Sequence, residues 1–552
     1  MGVKGDWIGK AADAVQARMA REEDKGRRAP GETIVCASGI SPSGPIHLGN
    51  LRELMTTHLV SEELKRRGCV AEHVHSWDDY DRFRKVPAGV PDSYAEHIGK
   101  PLAEVPDPWG EFDSYGSRWI AQFTGAVEQL GVRCRWVRQS ECYPTGRYRS
   151  HMRTAMERRH EIFDILSRYQ TEKLQTVSIE ERRANYWPLK VFCPETRRDT
   201  TKVLDFDAST GEVLYHSEGV GERRFNLDTD ETLHCKLVWK VDWPMRWMVE
   251  RVVFEPGGAD HGSPGSSYTV GRELCPKIFG WSAPGFVQYA FVGAAGRTKM
   301  SSSEGGGFTP GFALRFIEPS ILRWMYLRRA PKKEFAIDFG AEIWRTYDEY
   351  DNLVSRQGTP KVRPNDAHEL YHSQTTSAGS LPTPDVRVPF RVIASAADMT
   401  NGNVDQILRV VRDHLEDPPE DLADRIQPRL DCALGWAIHC LPEDERLKVR
   451  EVPSLDAWNA LHEDVQAAIG RLVEGLEQSW GLAKLTTLIY GVAKQVRGLP
   501  IDAKPDAELK AFQRQVFIGV YGLLLGTDTG PRLPTLILSL GLERVRTLLR
   551  PV

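Results

Sequence analysis

The chain has 552 residues, 41% hydrophobic and 27% charged, with a net charge of −4; this is the mix of a water-soluble globular protein, and at roughly 150 residues per domain the length implies about three to four domains. No apolar run approaches the ~20 residues that span a bilayer, the N-terminus lacks a signal-peptide core, and nine scattered cysteines form no CxxC pair. These features exclude a membrane protein and a disulfide frame, and imply a cytoplasmic chain with reduced thiols; the charge gives no overall bias toward nucleic acid, although a local basic face suffices for that.

In chain order, residues 6–20 have helical spacing and 20–32 (AREEDKGRRAPGE) read as a charged linker. TIVCA (33–37) predicts a short buried strand. The run from His47 to Arg67 predicts an amphipathic helix, with Lys65, Arg66 and Arg67 in its last turn and Gly68 as the stop. VAEHVHSWDD (70–79) and VRCRWVRQS (132–140) predict a second and a third strand. Strands alternating with helices imply a parallel α/β sheet. Residues 170–235 are polar and read as an insertion with short strands, after which α/β character returns from Trp239. The Gly/Pro/Ser/Thr-rich stretch 355–388 reads as a boundary or long connection. Beyond it nearly everything has helical period, and VFIGVYGLLLG near residue 516 is too short to cross a membrane and reads as a buried helix.

Residues 39–50 read GISPSGPIHLGN, between the first strand and the first long helix. A strand-to-helix turn there lies outside the carboxyl ends of the strands, where doubly wound sheets bind ligands. Gly39, Gly44 and Gly49 permit close backbone approach, and the free N–H groups of a helix start favour phosphate. His47 and Asn50, spaced i and i+3, project from one face of the first turn as imidazole and amide donors. The string PSGPIHLGN resembles the first signature of class I aminoacyl-tRNA synthetases, the HIGH-type motif that contacts ATP phosphates. Such a motif predicts a downstream Lys–Met–Ser loop, and residues 297–305 read RTKMSSSEG. Lys299 would place positive charge on the phosphates as pyrophosphate leaves, while Ser301 and Ser302 would donate hydrogen bonds.

Further strings extend the match: SGISPSGPIHLGNLRE, DDYDRFRKVP, IGKPLAEVPDPWG, VDWPMRW, FEPGGADH, GSSYTVGRE, KMSSSEG and DEYDNL. Together they resemble the class I lysyl-tRNA synthetase family over residues 1–350, and more weakly to the C-terminus. The resemblance implies a Rossmann-type doubly wound parallel sheet with a small insertion domain and an all-α C-terminal anticodon-binding domain. The implied division is 1–168 and 237–298 for the two halves of the catalytic sheet, 169–236 for the insertion, 299–354 for the Lys–Met–Ser loop and stem-contact region, and 355–552 for the helical domain. It also implies lysine activation with Mg-ATP, followed by transfer to the 2′-hydroxyl of the terminal adenosine of lysine tRNA.

By the same resemblance, His47, Asn50, Lys299, Ser301 and Ser302 act in catalysis. ATP is held by these residues together with Pro42, Ser43, Gly44, Gly49, Met300 and Ser303. Lysine is met by Gly39, Ser41, Asp79, Trp239, His261 and Tyr289, since aromatic rings line methylenes and offer faces to an ammonium. The acidic cluster Asp78, Asp79 and Asp81 supplies negative charge, without a sequence signal for which of the three faces the substrate. No metal ligand set is expected in the protein: the insertion keeps Cys193 and His216, at most two of the four ligands zinc takes, so no structural zinc is expected. Glu304 stands where the family usually carries a lysine, and Ser41 where it carries threonine. The expected assembly is a monomer. Lys494, Arg497, Arg514 and Arg532 are candidates for the anticodon stem and loop. Three alternatives remain open: a glutamyl- or glutaminyl-type enzyme, a paralogue with another acceptor, and a non-catalytic tRNA-binding protein.

Overall fold

The structure is a computed structural model that describes residues 6–169, 177–263, 265–295, 308–441 and 446–550. Its strands, in chain order, are β1 (Ile34–Ile40), β2 (Ala71–Trp77), β3 (Arg135–Arg138), β4 (Leu189–Val191), β5 (Thr201–Asp207), β6 (Glu212–Ser217), β7 (Gly221–Asn226), β8 (Cys235–Leu237), β9 (Val252–Gly258), β10 (Gly285–Tyr289), β11 (Val292–Ala295) and β12 (Phe335–Asp338). Five of them form the central sheet in the order β10-β9-β1-β2-β3, with every pairing parallel. The chain builds outward from β1 to β3, then returns to the other side of β1 with β9 and β10. The order therefore reverses between β1 and β9, and that switch point is where an open α/β sheet leaves a crevice.

The three longest helices of the first half are α1 (Trp7–Asp24), α2 (Leu48–Arg66) and α3 (Tyr115–Gln129). Strands β1 and β2 start and end close to where alternation and β-branched content place them, and β3 is shorter than its apolar run. The α2 prediction needs a correction. The helix is there, but it is not amphipathic in the surface sense: fourteen of its residues are buried, including Arg52, Thr56, His58, Glu62 and Glu63. Its polar groups face protein rather than water. Arg52 donates to the carbonyls of Ala330 (2.8 Å) and Pro331 (3.0 Å), and Ser377 Oγ donates to Glu62 (2.8 Å). A polar periodicity can therefore mark buried partners as well as solvent.

The stretch 355–388 is also more structured than its composition suggests. It contains the helix Pro364–Gln374 and a short hairpin pairing Thr375–Thr376 with Gly379–Ser380. Pro364 opens the helix, where a missing N–H costs nothing. Beyond it the chain is helical, ending in Leu533–Leu540 and Leu542–Leu549. Ala507–Leu524, which contains the apolar run near 516, buries Val516, Val520, Leu523 and Leu524 in the core. One apolar cluster runs from Ile40 and Trp77 through α2 to Leu549, joining one face of the sheet to the helical region. A second covers the other face and extends to β4–β8. Among the described residues no helix is long and apolar enough to cross a membrane.

Candidate active site

The first motif forms the start of α2. His47 is the N-cap, in extended backbone, and its Nδ1 accepts from the Gly49 N–H at 3.0 Å. The Asn50 Oδ1 accepts in turn from the His47 N–H at 3.3 Å. This reciprocal cap fixes both side chains. With Nδ1 acting as acceptor, the ring carries its proton on Nε2, which is left to donate outward together with the Asn50 amide N–H groups. Partial desolvation holds the His47 pKa below its ordinary value, so the ring is neutral near pH 7. Gly49 is required by contact: a Cβ there would lie 2.7 Å from His47 Cε1. Pro42, Ser43 and Gly44 make the loop before the cap, pinned by the Tyr115 hydroxyl, which donates to the Ser43 carbonyl at 3.1 Å.

The second motif, Lys299, Met300, Ser301, Ser302 and Ser303, lies outside the described residues, as does Glu304. The chain on either side of it flanks the His47 turn. Phe308 accepts at its carbonyl from the Leu48 N–H (2.9 Å), and the Val292 carbonyl of β11 lies beside Gly49.

A cavity opens at the switch point. It is lined by Gly39 at the end of β1, Asp78 after β2, Glu255 and Gly257 of β9, and Trp239, Trp243 and Trp247 from the helix Trp239–Val249. Trp239 and Trp243 stack at 5.2 Å, and the His261 ring meets Trp243 edge-on at 5.5 Å. The side chains of Trp239 and His261 thus stand at the cavity. Gly39 lines it through its backbone, and Ser41 lies beyond the end of β1, outside the lining. Tyr289 reaches it through a bridge: its hydroxyl donates to Glu53 Oε2 at 2.7 Å, while the Gly39 N–H donates to Glu53 Oε1 at 2.7 Å.

The acidic residues sort differently from the sequence expectation. Asp79 does not face the cavity. Its carboxylate accepts from Arg138 (2.8 Å), the Ser140 N–H (2.9 Å) and the Ser140 hydroxyl (2.6 Å), and so anchors the end of β3. Asp78 lines the cavity, but Arg246 holds it at 2.6 Å; Asp81 is paired with the buried Lys236 at 2.5 Å. Among the described residues that line the cavity, the two carboxylates without an ion pair are Glu53 and Glu255. Glu255 accepts from the indole N–H groups of Trp243 (3.0 Å) and Trp247 (2.6 Å). Burial pushes Glu53 up to about 8 and Glu255 up to about 7, against the lowering effect of those neutral donors. Both stand inside quoted strings, GNLRE and FEPGGADH, yet a single glutamate in an apolar segment carries no periodic signal.

A neutral imidazole and an amide thus stand together at a helix start, beside the switch point of an all-parallel sheet. The chain belongs to the family described as tRNA synthetases class I (K), whose model matches residues 5–377. It is 43% identical over 577 aligned residues to a Lysine--tRNA ligase of Streptomyces coelicolor, covering 99% of this chain and 98% of that one. It is 34% identical to a Lysine--tRNA ligase of Thermococcus kodakarensis over 98% of this chain and 99% of that one. A third relative, the Lysine--tRNA ligase of Treponema pallidum, is 31% identical with 98% of both chains covered.

Proposed function

We propose that this protein is a lysine–tRNA ligase, which condenses lysine with ATP and passes the lysyl group to lysine tRNA. The observation that carries the reading is the pair Glu53 and Glu255. Two buried carboxylates, each held by neutral donors alone, border one aromatic-lined cavity. Lysine brings two ammonium groups separated by an apolar stem. Glutamate would bring an extra carboxylate into the same acidic surroundings, so the glutamyl-type alternative is disfavoured. The full-length likeness to relatives named Lysine--tRNA ligase supports the same choice.

In this reading Trp239, Trp243 and His261 flank the methylene stem, and Glu53 and Glu255 receive the ammonium groups. The lysine carboxylate attacks the α-phosphate of ATP, forming lysyl-adenylate and releasing pyrophosphate. The 2′-hydroxyl of the terminal adenosine of the tRNA then attacks the acyl carbonyl, and AMP leaves. Neither step needs a protein nucleophile, because the site acts by orienting the reactants and stabilising charge. His47 Nε2–H and the Asn50 amide donate to phosphate oxygens; Lys299, Ser301 and Ser302 serve the departing pyrophosphate. Magnesium arrives with ATP and offsets phosphate charge. The helical region supplies the tRNA surface. Arg514 and Arg532 are exposed there, while Arg497 is engaged with Asp464 at 3.6 Å and Lys494 with the Ile501 carbonyl.

The test is ATP–pyrophosphate exchange with lysine, with and without lysine tRNA, and with glutamate as control. Exchange with lysine and none with glutamate is expected. Exchange with glutamate, or none with either in folded protein supplied with tRNA, would overturn the proposal.

A further inference from the structure

Far from the catalytic cavity, Glu63 near the end of α2 meets two histidines of the helix Pro364–Gln374. Glu63 Oε2 lies 3.0 Å from His368 Nε2 and 2.9 Å from His372 Nε2, and the two ring nitrogens are 3.0 Å apart. Three ligand atoms thus converge on one point. The histidines occur in the string HELYH (368–372), where i,i+4 spacing puts both rings on one helix face. We propose that Glu63, His368 and His372 bind a divalent transition-metal ion, with zinc the best match.

The case for an ion rests on the convergence of three ligand atoms. If both Nε2 atoms carried protons, two N–H groups would crowd one oxygen. If one ring donated to the other, the acceptor would keep its proton on Nδ1. For His368 that proton meets Asp6 Oδ1 at 3.2 Å, while His372 Nδ1 is buried without a hydrogen-bond partner whether Nε2 meets a proton or an ion. A cation at the centre uses all three lone pairs at once. Tetrahedral zinc with bonds of 2.0–2.1 Å sets neighbouring ligand atoms about 3.3 Å apart, close to the separations found. Two imidazoles and one carboxylate are a zinc-type set, with the fourth position left to water.

The surroundings orient two of the three ligands, His368 and Glu63, as metal sites do. His368 Nδ1 lies 3.2 Å from Asp6 Oδ1, which points Nε2 inward as the lone-pair donor. Arg67 Nε (2.7 Å) and Arg66 (2.8 Å) donate to Glu63 Oε1, which fixes the carboxylate with Oε2 toward the rings, although Arg66 Nε also reaches Oε2 at 2.6 Å.

The site is structural rather than catalytic. The side chains of Glu63 and His372 are 0% and 1% exposed, too enclosed for a substrate. The spacing is that of a zinc-peptidase helix, in which the glutamate activates water. Here Glu369 is instead held by the Asn365 amide at 2.8 Å. The ion would clamp the start of α1, the end of α2 and the helix Pro364–Gln374. It would therefore brace the helix that presents His47 and Asn50. This departs from the sequence expectation of no structural zinc, which looked for cysteines in the insertion.

The test uses the full-length protein. Metal content by mass spectrometry of the purified protein, and thermal unfolding before and after chelation, are read for wild type, His368→Gln and His372→Gln. Roughly one zinc per chain, lost in both variants, is expected, with a lower Tm after chelation that zinc restores. Because a variant could misfold, wild-type protein stripped of metal is also titrated with Co(II), whose visible spectrum reports a tetrahedral site. Zinc content unchanged in the variants, or neither a cobalt spectrum nor a zinc-dependent Tm in wild type, would show an ionic cluster without metal and overturn the proposal.

Discussion

At the scale of single residues, the cavity's chemistry rests on carboxylates whose charge depends on occupancy. Glu53, pushed up to about 8, keeps its proton at neutral pH, and Glu255, at about 7, is about half protonated there. A lysine ammonium favours their ionised forms, so binding should release protons. Affinity for lysine should then strengthen as pH rises from 6 to 8. Calorimetry in two buffers of different ionisation enthalpy checks this; no proton release at pH 6.5 would mean that the carboxylates are already ionised. The stability sign is opposite. Both groups have folded pKa values above the unfolded carboxylate value, so their contribution is fully present below about pH 4.5 and is lost as pH climbs through 7 to 8. Glu255→Gln should weaken lysine binding by about 2–5 kcal/mol while flattening the pH dependence of Tm over that window. Lys299→Ala should lower adenylation by roughly 10²–10³, measured in single turnover; unchanged rates would remove the role given to that loop. His47 and Asn50 were legible from sequence because a helix cap has a local signature. Glu53 and Glu255 were not, nor was the engagement of Asp79 with Arg138 and Ser140, because which acid faces a cavity is decided by partners that are distant in sequence, such as Arg138 and Arg246.

At the scale of elements, α2 links the His47 turn to the rest of the molecule. Its boundaries were readable from the glycine-rich turn before it and from Gly68 after it. Its burial was not, since Arg52, Glu62 and Glu63 mimic a solvent face. The helix Pro364–Gln374 was hidden for a related reason: its flanks are rich in Gly, Pro and Ser, and its own apolar content is low. The cap of α2 offers a clean separation of stability from catalysis. In Gly49→Ala the new Cβ displaces the His47 ring, whose Cε1 lies 2.7 Å away, and breaks the Nδ1 acceptor bond. Alanine is the better helix former by about 1 kcal/mol, which offsets the roughly equal cost of the lost cap bond, so Tm should change little. Adenylation should fall by about tenfold or more, because the phosphate donors lose their geometry. A fall in Tm parallel to the loss of rate would instead indicate a folding defect.

At the scale of the whole molecule, the sheet and the helical region share one apolar core from Ile40 to Leu549. The period of the C-terminal helices made them visible in sequence. Their docking was not visible, because it rests on pairs far apart in the chain. The central pair is Arg429 with Glu318, 2.6 Å apart and both side chains 0% exposed. Arg429 also holds Asp351 at 2.7 Å and the Val388 carbonyl at 2.8 Å. One guanidinium therefore ties the helix Arg429–His439 to the start of Pro319–Leu327 and to Glu342–Ser355. Removing it strands a buried carboxylate, which costs about 3–5 kcal/mol, whereas replacing both charges with apolar groups can be nearly neutral. Arg429→Met alone should lower Tm sharply, and adding Glu318→Leu should recover much of the loss. Thermal unfolding of the two variants checks the stability arm, and lysine-dependent exchange with tRNA checks the functional one. If docking of the helical region transmits tRNA binding to the sheet, the double variant should regain Tm before it regains tRNA-stimulated exchange. Equal recovery of both would make the pair a stability element alone.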